Sequence, residues 1–535
     1  MKFDSLAYPY ASQRNVVFAN QGMVATSQPL AAQAGLDILK QGGNAIDAAV
    51  AAAACLTVVE PTSNGIGGDA FALVWHNQSL YGLNASGPAP RGLSVDVVKN
   101  AGFTEIPATG WIPVTVPGAP AAWAEMTKRF GSLSLSQLLK PAIDYAERGY
   151  PVSPTTSRNW LKAVAHYKQT LKADYFRYWF DTFCIDGRAP AIGESWRAPD
   201  MAKTLQLIAE SDGASFYHGQ LAEAIDTFSQ QTGGYLRGED LAAYQPEWVD
   251  PINICYRGYD IWEIPPNGHG LVALSALNIL KGFEFEARDC WETYHRQIEA
   301  MKLAFADGQK FIADRNKMKV TVADLLDEHY AEQRRNLIGS KAGIPEAGDP
   351  RSGGTVYLAT ADQFGNMVSF IQSNYMGFGS GLVVPGTGIS LHNRGHNFVL
   401  QKDHANCLEP GKRPYHTIIP GFITKNSQAV GPFGVMGAFM QPQGHVQVVM
   451  NTIDFHLNPQ AALDAPRWQW ISGKTVEIEQ GTSEKIIEGL MEAGHDVRVI
   501  ADPTGFGRGQ IIWRTDKQSF AGGTESRTDG TIACW

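Results

Sequence analysis

The segment that most restricts the possible fold is Ala45–Val59, AIDAAVAAAACLTVV, in which nearly every side chain is apolar. Asn44, a favoured N-cap residue, stands directly before it, and Glu60-Pro61 follows it, so the run is predicted to form one helix. A helix that is apolar all round must be covered by protein on nearly all sides. The chain therefore has to enclose this helix.

The length of the chain allows a large layered core. Its 535 residues exceed the limit of roughly 250 to 300 residues for a single simple core, so we expect two domains or one large layered one. Hydrophobic residues at 44% and charged residues at 18% are typical of an ordinary globular protein and argue against extensive disorder. The net charge of -9 argues against nucleic acid as a partner, because phosphate contacts need a basic face.

Cysteine spacing and the absence of long apolar runs predict a cytoplasmic protein. The six cysteines lie far apart with no C-x-x-C pair, which favours free thiols in a reducing compartment. The first residues, MKFDSLAYPYASQRN, lack the apolar core of a secretory signal. The longest near-continuous apolar run, residues 48–59, is too short for a bilayer, which needs about 20 residues. No membrane contact is expected.

The patterning changes along the chain from helical to strand-rich. Residues 27–40, 119–130, 135–148 and 295–313 show helical spacing and predict a helical layer over a sheet. The glycine-rich loop 63–69 precedes an apolar strand at 70–75; such a loop can approach a ligand, although most are only turns. Beyond residue 354 short strands, turns and Pro/Gly loops dominate.

The change in patterning falls at residues 351–370, RSGGTVYLATADQFGNMVSF. Residues 356–361 and 367–371 predict two strands joined by a turn, so the stretch is interpreted as a hairpin with Thr355 at the first residue of its first strand. A Gly-Gly turn entering a hairpin explains the glycines without any chemistry. The same tripeptide recurs at residues 522–524, where it is interpreted as a loop.

Two further patterns are typical of ligand sites and are interpreted as structural. Residues 268–273, GHGLVA, resemble a nucleotide-binding turn, but Pro265-Pro266 spoils the strand that such a turn requires. His295 and Glu299 stand one helical turn apart, as metal ligands do, but no second histidine completes a zinc pattern. We therefore expect no cofactor and no metal.

Several motifs together identify a family. They are GNAIDAA at 43–49, VEPTSNGIGG at 59–68, VPG at 116–118, LAFAD at 303–307 and KRP at 412–414. In this order they resemble the gamma-glutamyltransferase family over nearly the whole chain. The resemblance implies an α+β fold, the four-layer αββα sandwich of the N-terminal-nucleophile hydrolases. It also implies a precursor that cuts itself into a large subunit, residues 1–354, and a small subunit, residues 355–535, with a pair of such two-chain units as a plausible assembly.

The resemblance assigns chemical roles to residues near the hairpin. Thr355 falls on the family's nucleophile, and cleavage of the Gly354-Thr355 bond would free its α-amine. That amine can act as the base because its pKa of about 7.7 to 8.0 leaves much of it neutral. Gly437-Ala438 falls on the glycine pair whose N–H groups hold the oxyanion. Ser373 falls on a hydroxyl residue that supports the nucleophile; a purely structural serine is the alternative.

The substrate-binding positions depart from the family pattern. The arginine that holds the α-carboxylate of a glutamyl group is replaced by Asn84, and the acid that holds its α-amine is replaced by Asn397. His416-Thr417 replaces the serine pair that adds carboxylate donors. Arg394 and His396 instead offer positive or donor groups, so we interpret Arg394 as a residue that binds an anionic substrate. The alternative is an arginine that only forms a salt bridge at the surface. Tyr375, close to Ser373, completes the predicted substrate contacts.

Together with the resemblance, these departures predict an amidohydrolase for a small amide that carries a carboxylate and needs no α-amine. Within the superfamily the chain most resembles enzymes that act on oxamate, which implies conversion of oxamate to oxalate and ammonia in purine-ring nitrogen salvage through an acyl-enzyme on Thr355. One alternative in the same reaction class is a gamma-glutamyl hydrolase or transferase that uses glutathione. An alternative of another class is an uncleaved member that only binds a ligand.

Overall fold

The strands form two large sheets and two small ones. The structure is a computed structural model that describes residues 14–345 and 354–535. Its strands are β1 (Val17–Ala19), β2 (Gly22–Thr26), β3 (Asp69–His76), β4 (Ser79–Ala85), β5 (Tyr150–Pro151), β6 (Ser195–Trp196), β7 (Glu247–Val249), β8 (Ile252–Tyr256), β9 (Tyr259–Glu263), β10 (Gly354–Asp362), β11 (Met367–Tyr375), β12 (Gly421–Lys425), β13 (Gln428–Met436), β14 (Trp468–Ser472), β15 (Thr475–Glu479), β16 (Asp496–Ile500), β17 (Arg508–Arg514), β18 (Phe520–Thr524) and β19 (Thr531–Cys534).

Helices form much of the rest of the described chain. They are α1 (Pro29–Lys40), α2 (Ala45–Val59), α3 (Val95–Asn100), α4 (Ala119–Phe130), α5 (Leu135–Arg148), α6 (Pro154–Thr170), α7 (Arg177–Phe183), α8 (Pro199–Glu210), α9 (Ala214–His218), α10 (Gln220–Gln231), α11 (Gly238–Ala242), α12 (Gly270–Leu280), α13 (Trp291–Phe311), α14 (Val322–Leu325), α15 (Glu328–Arg335), α16 (Met440–Ile453), α17 (Pro459–Asp464) and α18 (Glu484–Glu492). Short 3-10 turns connect some of them.

The two large sheets stack face to face. One has the strand order β1-β18-β17-β13-β12-β9-β8 and the other β19-β2-β10-β11-β3-β4-β7. Their facing sides share a core that includes Tyr357 of β10 and Met436 of β13. Alternate residues of β10, such as Leu358, face helices α1, α2, α4 and α5 instead. Helices α12, α13 and α16 cover the opposite outer face. The predicted four-layer αββα arrangement is confirmed.

The apolar helix lies where its sequence requires, inside the molecule. Every residue of α2 is buried, and Asn44 caps it by accepting from Ile46 and Asp47 while the Asp47 carboxylate accepts from the Asn44 N–H. This reciprocal capping fixes the start of the helix. The predicted bounds of α2, α4 and α5 agree with the structure.

One sequence interpretation is wrong. Residues 522–524 do not form a loop; they lie in β18, which pairs with β1 and β17 inside a large sheet. A Cβ on Gly522 would stand 2.5 Å from the Met23 sulfur, and one on Gly523 would stand 2.6 Å from Pro459 backbone. The glycines therefore serve close packing, which sequence alone does not separate from a turn.

Candidate active site

Thr355 is buried near the start of β10, between β2 and β11 of one large sheet. Its side chain is 1% exposed, and its Oγ1 lies 3.2 Å from the Ser373 Oγ on β11. The β10–β11 register shifts between Gly354 and Val356, so two residues of β11 oppose Thr355. Such a bulge re-aims side chains. The structure thus brings the predicted nucleophile and its predicted hydroxyl support together; Gly353 lies outside the described residues.

Backbone strain accompanies this hydroxyl pair. The Tyr375 N–H donates to the Ser373 Oγ at 2.7 Å, and Tyr375 has φ +73, a left-handed conformation that costs energy in a bulky residue. Because the Ser373 oxygen accepts from the Tyr375 backbone, its own hydroxyl proton can be donated to Thr355. That arrangement orients the Thr355 oxygen.

The predicted oxyanion residues form the turn between β13 and α16. Gly437 has φ +139 and Ala438 has φ +51, and both residues precede the helix that begins at Met440. The turn is attached to β13, where a Cβ on Gly434 would stand 2.4 Å from the Tyr357 ring of β10, so β13 stacks closely on the nucleophile's strand. Backbone N–H groups at a helix start carry partial positive charge and suit an oxyanion.

A buried charge cluster adjoins the hydroxyl pair through the neighbouring strand β3. Its centre is Asp69, the first residue of β3, which pairs in register with Ser373. Arg394 donates to Asp69 from Nε at 3.0 Å and from Nη2 at 3.2 Å, and His416 Nε2 donates to it at 2.6 Å. Nδ1 of His392 stands 3.3 Å from the same carboxylate. All four side chains are 0% exposed.

The cluster favours an ionised Asp69 and a neutral His416. Burial alone would raise the pKa of Asp69, but Arg394, His416 and His392 together hold it well below its usual value. Burial and Arg394 lower the pKa of His416 to about 4 despite the attraction of Asp69. A neutral His416 that donates from Nε2 and accepts the Ile418 N–H at Nδ1 fits both contacts.

The guanidinium of Arg394 forms hydrogen bonds with two protein side chains, Asp69 and Thr417. Two of its nitrogens contact Asp69, and Nη1 donates to the Thr417 Oγ1 at 2.7 Å. The guanidinium also lies 4.6 Å from the centre of the Tyr375 ring. Arg394, His416 and Thr417 thus lie together, and their contacts join them to Asp69, which the sequence reasoning missed. Their predicted contacts with the substrate stay a prediction.

A cleft of about 880 Å³ has Tyr375, two residues after Ser373, in its wall. It is lined by three predicted substrate residues, Tyr375, His396 and Asn397, and by Phe439, which follows Ala438. The Asn397 Nδ2 is buried and has no hydrogen-bond partner among the described residues, so it is available to a ligand. Asn84 lies apart: it donates to Asn267 and lines a separate pocket of about 240 Å³.

The structure supplies the second histidine that the sequence reasoning did not find beside His295. The ligand atoms of His295, Glu299 and His495 lie within 4.8 Å of one another. However, His295 and His495 bond each other at 2.9 Å, and the Lys302 ammonium lies 2.7 Å from Glu299. A buried ammonium on the carboxylate opposes a cation there, so we keep the structural interpretation.

Two other sequence interpretations concern residues 268–273 and a possible membrane span. Residues 268–273 lead into α12 after Pro265-Pro266, as predicted, and the Gly268 region pairs with His416 rather than forming a phosphate turn. Within residues 14–345 and 354–535, no helix combines the length and apolar character needed to cross a bilayer.

Known proteins resemble this chain over its full length. The family described as Gamma-glutamyltranspeptidase matches residues 31–535. A glutathione hydrolase-like YwrD proenzyme of Bacillus subtilis is 37% identical over 96% of this chain and 98% of its own. An oxamate amidohydrolase proenzyme of Klebsiella pneumoniae is 34% identical over the same shares. The crystal structure of a cephalosporin acylase from Bacillus halodurans has a TM-score of 0.98 and 62% identity, covering 100% of this chain and 99% of that one.

Proposed function

The chain belongs to the gamma-glutamyltranspeptidase family, and from that premise we propose that it is an amide hydrolase that processes itself and uses Thr355 as its nucleophile. The observation that carries the proposal is the buried contact of 3.2 Å between Thr355 Oγ1 and Ser373 Oγ at the start of a central strand. Hydrolysis of amide bonds is common to the named relatives. An uncleaved protein that only binds has no need of this pair.

Maturation breaks the Gly354-Thr355 bond. The Thr355 hydroxyl attacks the Gly354 carbonyl carbon, and the C–N bond then breaks, which leaves an ester on the Thr355 oxygen and frees the α-amine of Thr355. Water hydrolyses this ester to the Gly354 carboxylate and the free Thr355 hydroxyl. The products are residues 1–354 and 355–535. Each large sheet contains strands from both pieces, so the pieces are expected to stay associated without a covalent link. The pairing of two such heterodimers stays a prediction.

Turnover uses the freed amine as the base. The amine takes the proton of the Thr355 hydroxyl as its oxygen attacks the substrate carbonyl, and it returns the proton to the leaving nitrogen. The N–H groups of the Gly437-Ala438 turn stabilise the tetrahedral oxyanion, each worth roughly 3 to 4 kcal/mol. Water, activated by the same amine, then hydrolyses the acyl-enzyme.

The cleft favours an acyl amide larger than oxamate. At about 880 Å³ it falls in the range of drug-sized ligand sites, about 300 to 1,000 Å³. Phe398, Phe439 and Tyr415 offer apolar surface. Two lysines, Lys99 and Lys310, stand in the wall against one acid, Glu105, so the balance of charge favours a carboxylate. We therefore favour a bulky acyl amide that carries a carboxylate. The bulk agrees with the name of the solved relative that is 62% identical, a cephalosporin acylase.

Oxamate is the second candidate. The absence of an acid at Asn397 removes the partner for an α-amine, and a relative named for oxamate shares 34% identity. A carboxylate without an α-amine is common to both candidates and distinguishes them from glutathione.

All six cysteines are free, which supports the further proposal that the protein works in the cytoplasm.

A substrate panel tests the proposal. Purified mature protein is given a cephalosporin with a carboxylate-terminated acyl side chain, oxamate, glutamine and glutathione, and release of amine or ammonia is measured. We expect the highest kcat/KM for the cephalosporin, then for oxamate. Faster turnover of glutathione would overturn the substrate assignment, and no release from any amide together with one intact band on a gel would support a binding protein.

A further inference from the structure

A second cavity of about 440 Å³ shares a wall with the candidate active site. Tyr375 lines the main cleft, and the loop 376–379 that directly follows it lines the second cavity. Helix α6 forms the opposite wall through residues that include Lys162 and Tyr167. This volume suits a small organic molecule.

This cavity is lined by basic side chains and by no acidic one among the described residues. Arg508, Lys162 and His166 line it, and none of its described lining residues is Asp or Glu. Lys162 pairs with Asp502 at 3.3 Å, but its side chain is 60% exposed, so this ion pair is weak and can yield to a ligand. The cavity is therefore suited to an anion.

Arg508 is the buried part of this basic wall. Its side chain is 9% exposed and it donates to the Glu60 carboxylate through one contact, at 3.2 Å. Its Nε is buried without a hydrogen-bond partner. Burial raises the pKa of Glu60, although the charge of Arg508 acts to lower it. Glu60 is therefore a weaker counter-ion for Arg508 than an ordinary carboxylate. A buried guanidinium with spare donors is stabilised by a second anion.

The rest of the cavity combines hydroxyl and apolar groups. Thr62, whose Oγ1 is buried and unpaired, lines it. Phe378 and Met376 give apolar surface, as does the ring of Tyr167, whose hydroxyl already donates to the Gly379 carbonyl at 3.0 Å. A ligand that fits has one anionic group and an apolar arm.

We propose that this cavity is a second binding site for a small organic monoanion, a carboxylate on an aromatic or aliphatic arm. The carboxylate faces Arg508 and Lys162, and the arm lies against Phe378 and Tyr167. An occupant touches the loop 376–379 that follows Tyr375 and also touches Arg508, which pairs with Met436 one residue before the Gly437-Ala438 turn.

The test uses 4-phenylbutyrate as the probe and 4-phenylbutanol as its neutral match, with binding to mature protein measured calorimetrically. Ala163→Phe fills the cavity from α6, and Ala165→Phe places the same ring on the exposed part of that helix. Lys162→Met removes a lining charge, and Lys168→Met, also on α6, is its control. Unchanged amide hydrolysis by Ala163→Phe without probe confirms its fold.

We expect saturable binding of the acid to the parent and to Ala165→Phe. Ala163→Phe should weaken it at least tenfold, and Lys162→Met should weaken it several-fold more than Lys168→Met does. The alcohol should bind at least tenfold more weakly than the acid. Equal affinity of Ala163→Phe and the parent would place the probe in the main cleft and overturn the proposal. It is overturned equally by no saturable binding, or by an alcohol that binds as well as the acid.

Discussion

Replacing Asp69 by Asn is expected to destabilise the protein strongly, although the two side chains have the same shape. Asp69 accepts three contacts from Arg394 and His416, at 3.0, 3.2 and 2.6 Å. The amide introduced by Asp69→Asn would keep one acceptor oxygen, but its NH₂ group would face an N–H donor of Arg394 or His416. Arg394 is left charged and unpaired in the interior, a change that costs about 3 to 5 kcal/mol.

The assay is urea unfolding in the uncleaved Thr355→Ala background, which keeps every variant a single chain. Asp144→Asn is the matched control, because Asp144 pairs with Lys140 at 3.2 Å on the surface and is 33% exposed. Such a pair contributes less than about 1 kcal/mol. The reasoning about the buried cluster is refuted if Asp69→Asn lowers the unfolding free energy by no more than Asp144→Asn does.

The same substitution should slow maturation when Thr355 is intact. Asp69 holds Arg394 under the Tyr375 ring, at 4.6 Å, and the Tyr375 N–H orients Ser373 at 2.7 Å. We expect the cleavage rate, followed on gels after synthesis, to fall at least tenfold. Because Asp144→Asn leaves this support in place, it should cleave at the parent rate. Equal rates for both variants would show that the cluster does not act on the hydroxyl pair.

Three other predictions concern Arg394 and the separate cluster of His295, Glu299 and His495. Arg394→Met should destabilise the precursor and impair its cleavage, because Asp69 loses its cation; a stable, cleaved variant altered only in substrate affinity would instead assign Arg394 to the substrate. Activity should survive exhaustive chelation, whereas loss that zinc restores would assign a metal to His295, Glu299 and His495. Burial lowers the pKa of His495 to about 3, so below pH 6.5 the unfolded chain binds a proton that the folded chain does not, and the folded state loses stability. This loss amounts to on the order of 2 kcal/mol between pH 7 and pH 5. His495→Gln should remove it, as measured by urea unfolding at both pH values.

Local features of the sequence predict the elements that carry their own signals. Helix α2 could be predicted because its cap, its apolar run and its stop are adjacent in sequence. The hairpin of β10 and β11 could be predicted because its turn residues lie between two apolar runs. In both cases short-range chemistry determines the structure.

The charge cluster could not be predicted in this way. Asp69 and Arg394 are 325 residues apart, and no local pattern links them. The available signal was an acid at the start of an otherwise apolar strand, because a buried charge needs a partner. The contact between His295 and His495, 200 residues apart, was missed for the same reason.

The central claim is that Thr355 both cuts the chain and becomes its new N-terminus. Purified protein should separate on a denaturing gel into two pieces, and the smaller should begin Thr-Val-Tyr-Leu on N-terminal sequencing. Thr355→Ala should stay full length and inactive, while Thr355→Ser, which keeps a hydroxyl and an amine, should still cleave. A different first residue, or amide hydrolysis by Thr355→Ala, would contradict the account.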